Sequence, residues 1–223
     1  METGLEQDTL VFFVSDNGGP FRSDTSMNGA RNEPLRAGKR TTLEGGIRVP
    51  FVVAWPGQVK PGIYALPVIQ LDLTATALAV AGVATDPEVK LDGVNLLPFL
   101  KGEKSGEPHD ALYWRFGKQM AIRAGDYKLV RYDTNADTRT GKFNQPISPA
   151  RLFNVTSDIE ETGDLAKAMP DKAKELQAKW DAWNALNIRP RWPSAHEKDD
   201  GFEPAPLPPP QKAGNKPGDI IGK

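Results

Sequence analysis

Residues 9–50 read TLVFFVSDNGGPFRSDTSMNGARNEPLRAGKRTTLEGGIRVP, an apolar run that gives way to a long polar, glycine-rich segment. Leu10 to Val14 is unbroken in its apolarity, with Asp8 before it and Ser15-Asp16-Asn17-Gly18-Gly19 after it. Such a run fits a strand buried on both faces of a parallel sheet. In open α/β sheets, ligands sit beyond the carboxyl ends of the strands, where Asp16 and Asn17 fall. One anionic oxygen beside one amide oxygen suits a hard cation, Ca²⁺ or Mg²⁺, far better than zinc. The same Asp-Asn-Gly-Gly is also good turn chemistry and is compatible with a hairpin joining two strands.

From Gly18 to Gly46 no run resembles a regular element, and loops longer than roughly a dozen residues within a domain are usually functional or disordered. Between residues 18 and 48 stand six cations (Arg22, Arg31, Arg36, Lys39, Arg40, Arg48) against three acids (Asp24, Glu33, Glu44). The whole chain carries a net charge of only −1, so this local excess of cations beside a metal-suited pair implies an anionic substrate.

Ser15-Asp16-Asn17-Gly18, the run NEPLRAGKRTTLEGGIRVP at 32–50 and Trp55-Pro56-Gly57 resemble the later part of the catalytic domain of type I sulfatases. These are the arylsulfatase branch of the alkaline phosphatase superfamily. The resemblance is most specific over residues 9–57. It continues more loosely through Asp72-Leu73, LDGVNLLPFLKG (91–102), LYWR (112–115), AIRAGDYKLV (121–130) and LFNVTSDIEETGDLA (152–166), about residues 5–187 in all.

The resemblance implies an α/β fold: the C-terminal part of an alkaline-phosphatase-like parallel or mixed sheet with helices, then a small antiparallel sheet packed on a C-terminal helix. It implies Asp16 and Asn17 as ligands of one Ca²⁺, with Mg²⁺ the weaker candidate, and Asp16 as acceptor of the nucleophile's proton. Lys39 is the implied catalytic and sulfate-binding cation, and its place in Ala37-Gly38-Lys39 allows close backbone approach. Arg36 is a second substrate-binding candidate; Arg48, near Glu44, also reads as a structural ion pair.

The family's nucleophile is a formylglycine made from Cys or Ser within a Cys/Ser-x-Pro/Ala-x-Arg signature, which lies upstream of the Ser-Asp-Asn-Gly strand. This sequence has no cysteine and nothing that fits the signature. Ser148-Pro149-Ala150-Arg151 places its Arg one position early and reads as a loop entering a strand. Formylglycine is therefore expected in a missing N-terminal half, and the isolated chain is expected to be inactive. A separate upstream chain completing the fold is a further expectation.

Two other readings stay open: a phosphate-ester or phosphonate hydrolase of the same superfamily, and a non-catalytic anion-binding or partner-binding module. With 28 basic and 29 acidic residues, no global field points to nucleic acid or membrane partners. No signal peptide opens the chain, whose first residues are METGLEQDT, and no apolar stretch approaches the roughly 20 residues of a membrane span. The compartment is left open.

Downstream, Arg48 to Trp55 reads as a second buried strand. Asp72 reads as the N-cap of a helix that carries Leu73, Ala77, Leu78 and Ala81 and closes at Gly82. Short strands are expected at 111–116, 119–124, 127–132 and 151–155, the first three separated by Phe116-Gly117-Lys118 and Gly125-Asp126. A helix from about 171 to 186 places Ala173, Leu176, Trp180 and Trp183 on one face, to pack over that sheet. His109 is expected on the surface. Three segments follow: 1–100, part of the catalytic domain with the metal and sulfate loop; 101–187, the small antiparallel subdomain; and 188–223, whose eight prolines predict an extended tail.

Overall fold

A computed structural model describes residues 4–20, 29–84, 90–134 and 146–188. Arg22, Asp24 and the proline-rich tail beyond Ile188 lie outside the described residues.

The four short strands form one antiparallel meander in the order β3 (Leu112–Phe116), β4 (Gln119–Ala124), β5 (Tyr127–Arg131) and β6 (Arg151–Asn154). Two-residue turns connect the first three strands, and each needs a residue with positive φ, which Gly117 (57°) and Gly125 (56°) supply. The pairing register runs Ala121↔Val130 and Ile122↔Leu129 on one side of β5, then Leu129↔Leu152 and Lys128↔Phe153 on the other.

Because side chains alternate, this sheet has two working faces. Met120, Ile122, Leu129 and Leu152 point to the helix α4 (Pro170–Ala185), whose Leu176 is fully buried among them. Proline at the first position of α4 is compatible with a helix start. Trp180 donates its indole N–H to the Trp114 carbonyl at 3.1 Å, and Trp183 stacks on Tyr113 with ring centres 5.1 Å apart. The Trp pair is thus packing material, as its helical spacing predicts.

The opposite face, with Ala121, Val130 and Phe153, meets Ala37 and Leu43 of the cationic loop. The small sheet is therefore a slab between α4 and the loop.

The first strand departs from expectation. β1 (Val11–Val14) pairs antiparallel with β2 (Phe51–Ala54), Phe12 opposite Val53, in a two-stranded ribbon rather than a parallel sheet. Its faces are not both buried: Val11 is 50% exposed, Phe13 65% and Val52 52%. An apolar run specifies a strand but not the direction of its neighbour, and the chain returns from β1 through residues 15–50 to lie against it. Residues 15–50 are too long a connection for a tight hairpin. They also hold one element the sequence did not announce, the single-turn helix α1 (Glu44–Ile47).

Asp72 is the first residue of α2 (Asp72–Val80), not its cap. Its fully buried carboxylate reaches outside the helix, accepting the backbone N–H groups of Ile69 and Val94, each at 2.9 Å, and lying 2.8 Å from His109 Nε2. His109 is accordingly largely enclosed, only 9% of its side chain exposed, contrary to the surface position expected for it. A carboxylate with two fixed N–H donors needs a third partner on its remaining lone pairs, and the imidazole supplies it. The short helix α3 (Leu97–Leu100) follows, with Leu97 and Phe99 buried.

Candidate functional site

The site is built backbone against backbone. The Ser15 hydroxyl donates to the Asn17 carbonyl at 2.8 Å and the Asn17 amide to the Gly18 carbonyl at 2.9 Å, so the turn beyond β1 is folded on itself. Gly18 N–H donates to Gly46 O at 3.0 Å, and a Cβ on Gly18 would fall 1.6 Å from the Gly45 carbonyl oxygen. Only glycine lets the two strands of main chain come this close.

Lys39 N–H donates in turn to Gly19 O at 3.0 Å, and Asn32 bridges the same residue by accepting from Gly19 N–H at 2.8 Å and donating to Gly19 O at 2.9 Å. Lys39 is thereby fixed beside the Asp16-Asn17 turn by its main chain, while its side chain is exposed. Asp16 is exposed and Asn17 partly buried. The Lys39 main chain thus lies against Gly19, three residues beyond Asp16 in the chain.

Residues 36–45 close on themselves through Gly45 N–H to Arg36 O at 2.8 Å, with Ala37 (φ 63°) and Arg40 (φ 74°) turning the tip. The loop is riveted to the small sheet: Gln119 donates to Arg40 O at 2.9 Å and Thr42 Oγ1 to Arg131 O at 3.1 Å. The Arg36 guanidinium faces the same way, donating to Glu161 O at 2.7 Å and the Tyr132 hydroxyl at 3.1 Å. Arg48 forms the ion pair with Glu44 weighed from sequence, at 3.6 Å, and is half exposed.

Beneath the loop lies a group the sequence reading did not single out. Lys128, fully buried on β5, places its ammonium 2.8 Å from Glu44 Oε1 and 2.9 Å from Glu161 Oε1. The second contact is a charge contact rather than a well-aligned hydrogen bond: among the described residues Glu161 Oε1 has no hydrogen-bond partner. Glu161 Oε2 accepts Glu44 N–H at 2.7 Å.

Burial raises the Glu44 carboxyl, yet the adjoining Lys128 ammonium outweighs it and holds the group below the ordinary range. Burial likewise opposes charge on Lys128, and the two carboxylates outweigh it, so its pKa is raised. Glu161 is raised by burial, with Glu44 adding to the effect, and Lys128 only partly offsets both. A lysine between two apolar residues in a buried strand, Tyr127-Lys128-Leu129-Val130, is the sequence signal that marks such a cluster.

For a hard cation, Asp16 and Asn17 are donors of the right kind but provide two of the six to eight oxygens that Ca²⁺ takes. Among the described residues, no group of three or more His, Cys, Asp or Glu is placed to hold a metal ion. Ser148, in the near-match to the nucleophile signature, is buried and pairs with Tyr132, donating its N–H to Tyr132 O at 2.8 Å and accepting Tyr132 N–H on Oγ at 3.1 Å. It is a structural serine.

With this geometry in place, the comparisons give the class. Residues 1–83 match the sulfatase family model. The chain is 36% identical over 193 residues to arylsulfatase A of Bos taurus, covering 79% of this chain and 37% of that protein. It is 38% identical over 127 residues to N-acetylgalactosamine-6-sulfatase of Mus musculus, covering 56% of this chain and 24% of that protein. Among solved structures, Ps i-CgsB superposes with a TM-score of 0.68 at 32% identity, over 85% of this chain and 39% of that one.

The chain belongs to the sulfatase family. It spans a little over a third of the length of arylsulfatase A.

Proposed function

We propose that this chain supplies the sulfate-recognition and part of the metal-binding apparatus of a sulfuric ester hydrolase. The observation that supports the reading is the docking of the Lys39 main chain on Gly19 at 3.0 Å, which ties an exposed cation to the segment that follows two oxygen donors suited to a hard metal. Asp16 and Asn17 would hold the Ca²⁺ with further ligands from elsewhere in the enzyme. When bound, such an ion stabilises negative charge on sulfate oxygens, worth several kcal/mol of barrier. Lys39 contacts a sulfate oxygen as a point charge with three rotatable donors.

The nucleophile in this reading is formylglycine from a segment carrying the signature that this sequence lacks. The edges of the two-stranded β1–β2 ribbon are where we place the remaining strands of an alkaline-phosphatase-like sheet, and its exposed apolar face, Val11, Phe13 and Val52, is where we place the layer that covers them, whether in the same polypeptide or a separate one.

Two measurements test this. Inorganic sulfate titrated into the purified chain is expected to shift the Lys39 resonances, and Lys39→Ala to abolish saturable binding. A chromogenic aryl sulfate with Ca²⁺ is expected to show no turnover; turnover that vanishes in Asp16→Ala would mean the chain carries a nucleophile of its own and would overturn the reading.

A further inference from the structure

We infer that Lys128, Glu44 and Glu161 are positioning residues for Lys39, forming an ionic clasp that sets where the sulfate-binding loop presents its cation. The inference rests on the reading of Lys39 as the sulfate contact. Its ground is geometric. The loop of residues 36–45 is a closed ring with Lys39 at its tip, and Glu161 grips both sides of its base: its carbonyl accepts Arg36 Nη1 at 2.7 Å and its Oε2 accepts Glu44 N–H at 2.7 Å.

Lys128 then locks the two carboxylates together from the floor of the small sheet. Glu161 is held in the left-handed region at φ 54°, a conformation that side chains other than glycine adopt only where the surroundings impose it. Asp158, three residues before Glu161, accepts Thr162 and Gly163 N–H groups and fixes the turn that presents Glu161.

Burying charges is costly, and an apolar trio of similar volume would hold a loop on a sheet face at least as firmly. What charged groups add is direction: an ammonium between two carboxylates has one satisfied position, whereas the contacts of Ala37 and Leu43 with Ala121, Val130 and Phe153 tolerate sliding. The clasp, one ammonium and two carboxylates, has a formal charge of −1; Arg48 and Arg123 act on Glu44, and Arg36 contacts the Glu161 carbonyl, so the groups around it are cations that offset the excess carboxylate.

The experiment uses the purified chain, inorganic sulfate as ligand, and three variants: Lys128→Met, Glu161→Gln and Lys39→Ala. Sulfate affinity is read by NMR titration, and loop order by amide exchange at Lys39 and Gly45 against the amides of β4 and β5. Lys128→Met is expected to weaken sulfate binding about tenfold or more and to speed exchange at Lys39 and Gly45, with the sheet amides still protected. Glu161→Gln, which keeps an acceptor for Glu44 N–H, is expected to lose only a few-fold.

Wild-type affinity in Lys128→Met with protected loop amides would overturn the clasp. If Lys128→Met fails to fold, Glu161→Gln decides alone, and unchanged binding and exchange there overturn it. Sulfate binding that Lys39→Ala does not weaken counts against the sulfate-site reading instead, and the exchange rates of Lys39 and Gly45 still decide the clasp.

Discussion

Replacing Gly18 with alanine tests whether the Asp16 turn is held by main-chain contact. The new Cβ would stand 1.6 Å from Gly45 O and 2.8 Å from the Gly45 carbonyl carbon, both backbone atoms that no rotamer change can clear. The turn must move off the loop by more than an ångström, and the bonds Gly18 N–H to Gly46 O and Lys39 N–H to Gly19 O, both 3.0 Å, are lost or stretched. Each such bond contributes a net stabilisation of about 1 kcal/mol, and the forced displacement adds a similar amount, so local docking should weaken by about 1–3 kcal/mol. Amide exchange at Lys39 reports this directly, with an expected acceleration of about five- to hundredfold. Gly62→Ala is the control, because a Cβ there meets nothing within 4 Å and its φ is ordinary. A Gly18→Ala protein whose Lys39 amide exchanges as slowly as the wild type would show that the turn does not depend on this approach.

Further outcomes can be set out together. Leu176→Ala empties the fully buried centre of the α4 interface and should cost about 2–5 kcal/mol in urea unfolding; less than 1 kcal/mol would mean that α4 does not stabilise the sheet. Asp72→Ala leaves the Ile69 and Val94 N–H groups and His109 without their common acceptor, for an expected loss of about 2–4 kcal/mol, whereas a loss under about 0.5 kcal/mol would make the bracket dispensable. Glu44 and Glu161 act oppositely with pH. Glu44, lowered in the fold, adds stability above its ordinary pKa of 4.5 that disappears as pH falls through its folded value. Glu161, raised in the fold, contributes a loss of stability as pH climbs from 4.5 through its folded value, so Glu161→Gln should remove that decline when urea midpoints are compared across pH.

Much of the small domain was legible because its signals are local. Gly117-Lys118 and Gly125-Asp126 need only their own backbone angles to make turns, and the spacing of Ala173, Leu176, Trp180 and Trp183 defines a helix face by itself. Asp16, Asn17 and Lys39 are linked as candidates only through the resemblance to sulfatases, since nothing local joins residue 16 to residue 39. His109 and Asp72 misled because a lone histidine and a helix-start aspartate are read against average surroundings, while their actual partner is each other, 37 residues away.

By itself, then, the sequence determined the strand and helix segments, the absence of a cysteine nucleophile and the family, each written in consecutive residues or in a nearby motif. The tertiary structure decided what those segments face: that β1 runs antiparallel to β2, that the cationic loop lies on the sheet face opposite α4, and that Lys128 stands between Glu44 and Glu161. The physical reason is that strand direction and charge burial depend on partners far along the chain. A strand carries the same side-chain alternation whichever way its neighbour runs, and a lysine becomes a clasp only when the fold removes it from water and sets two carboxylates against it.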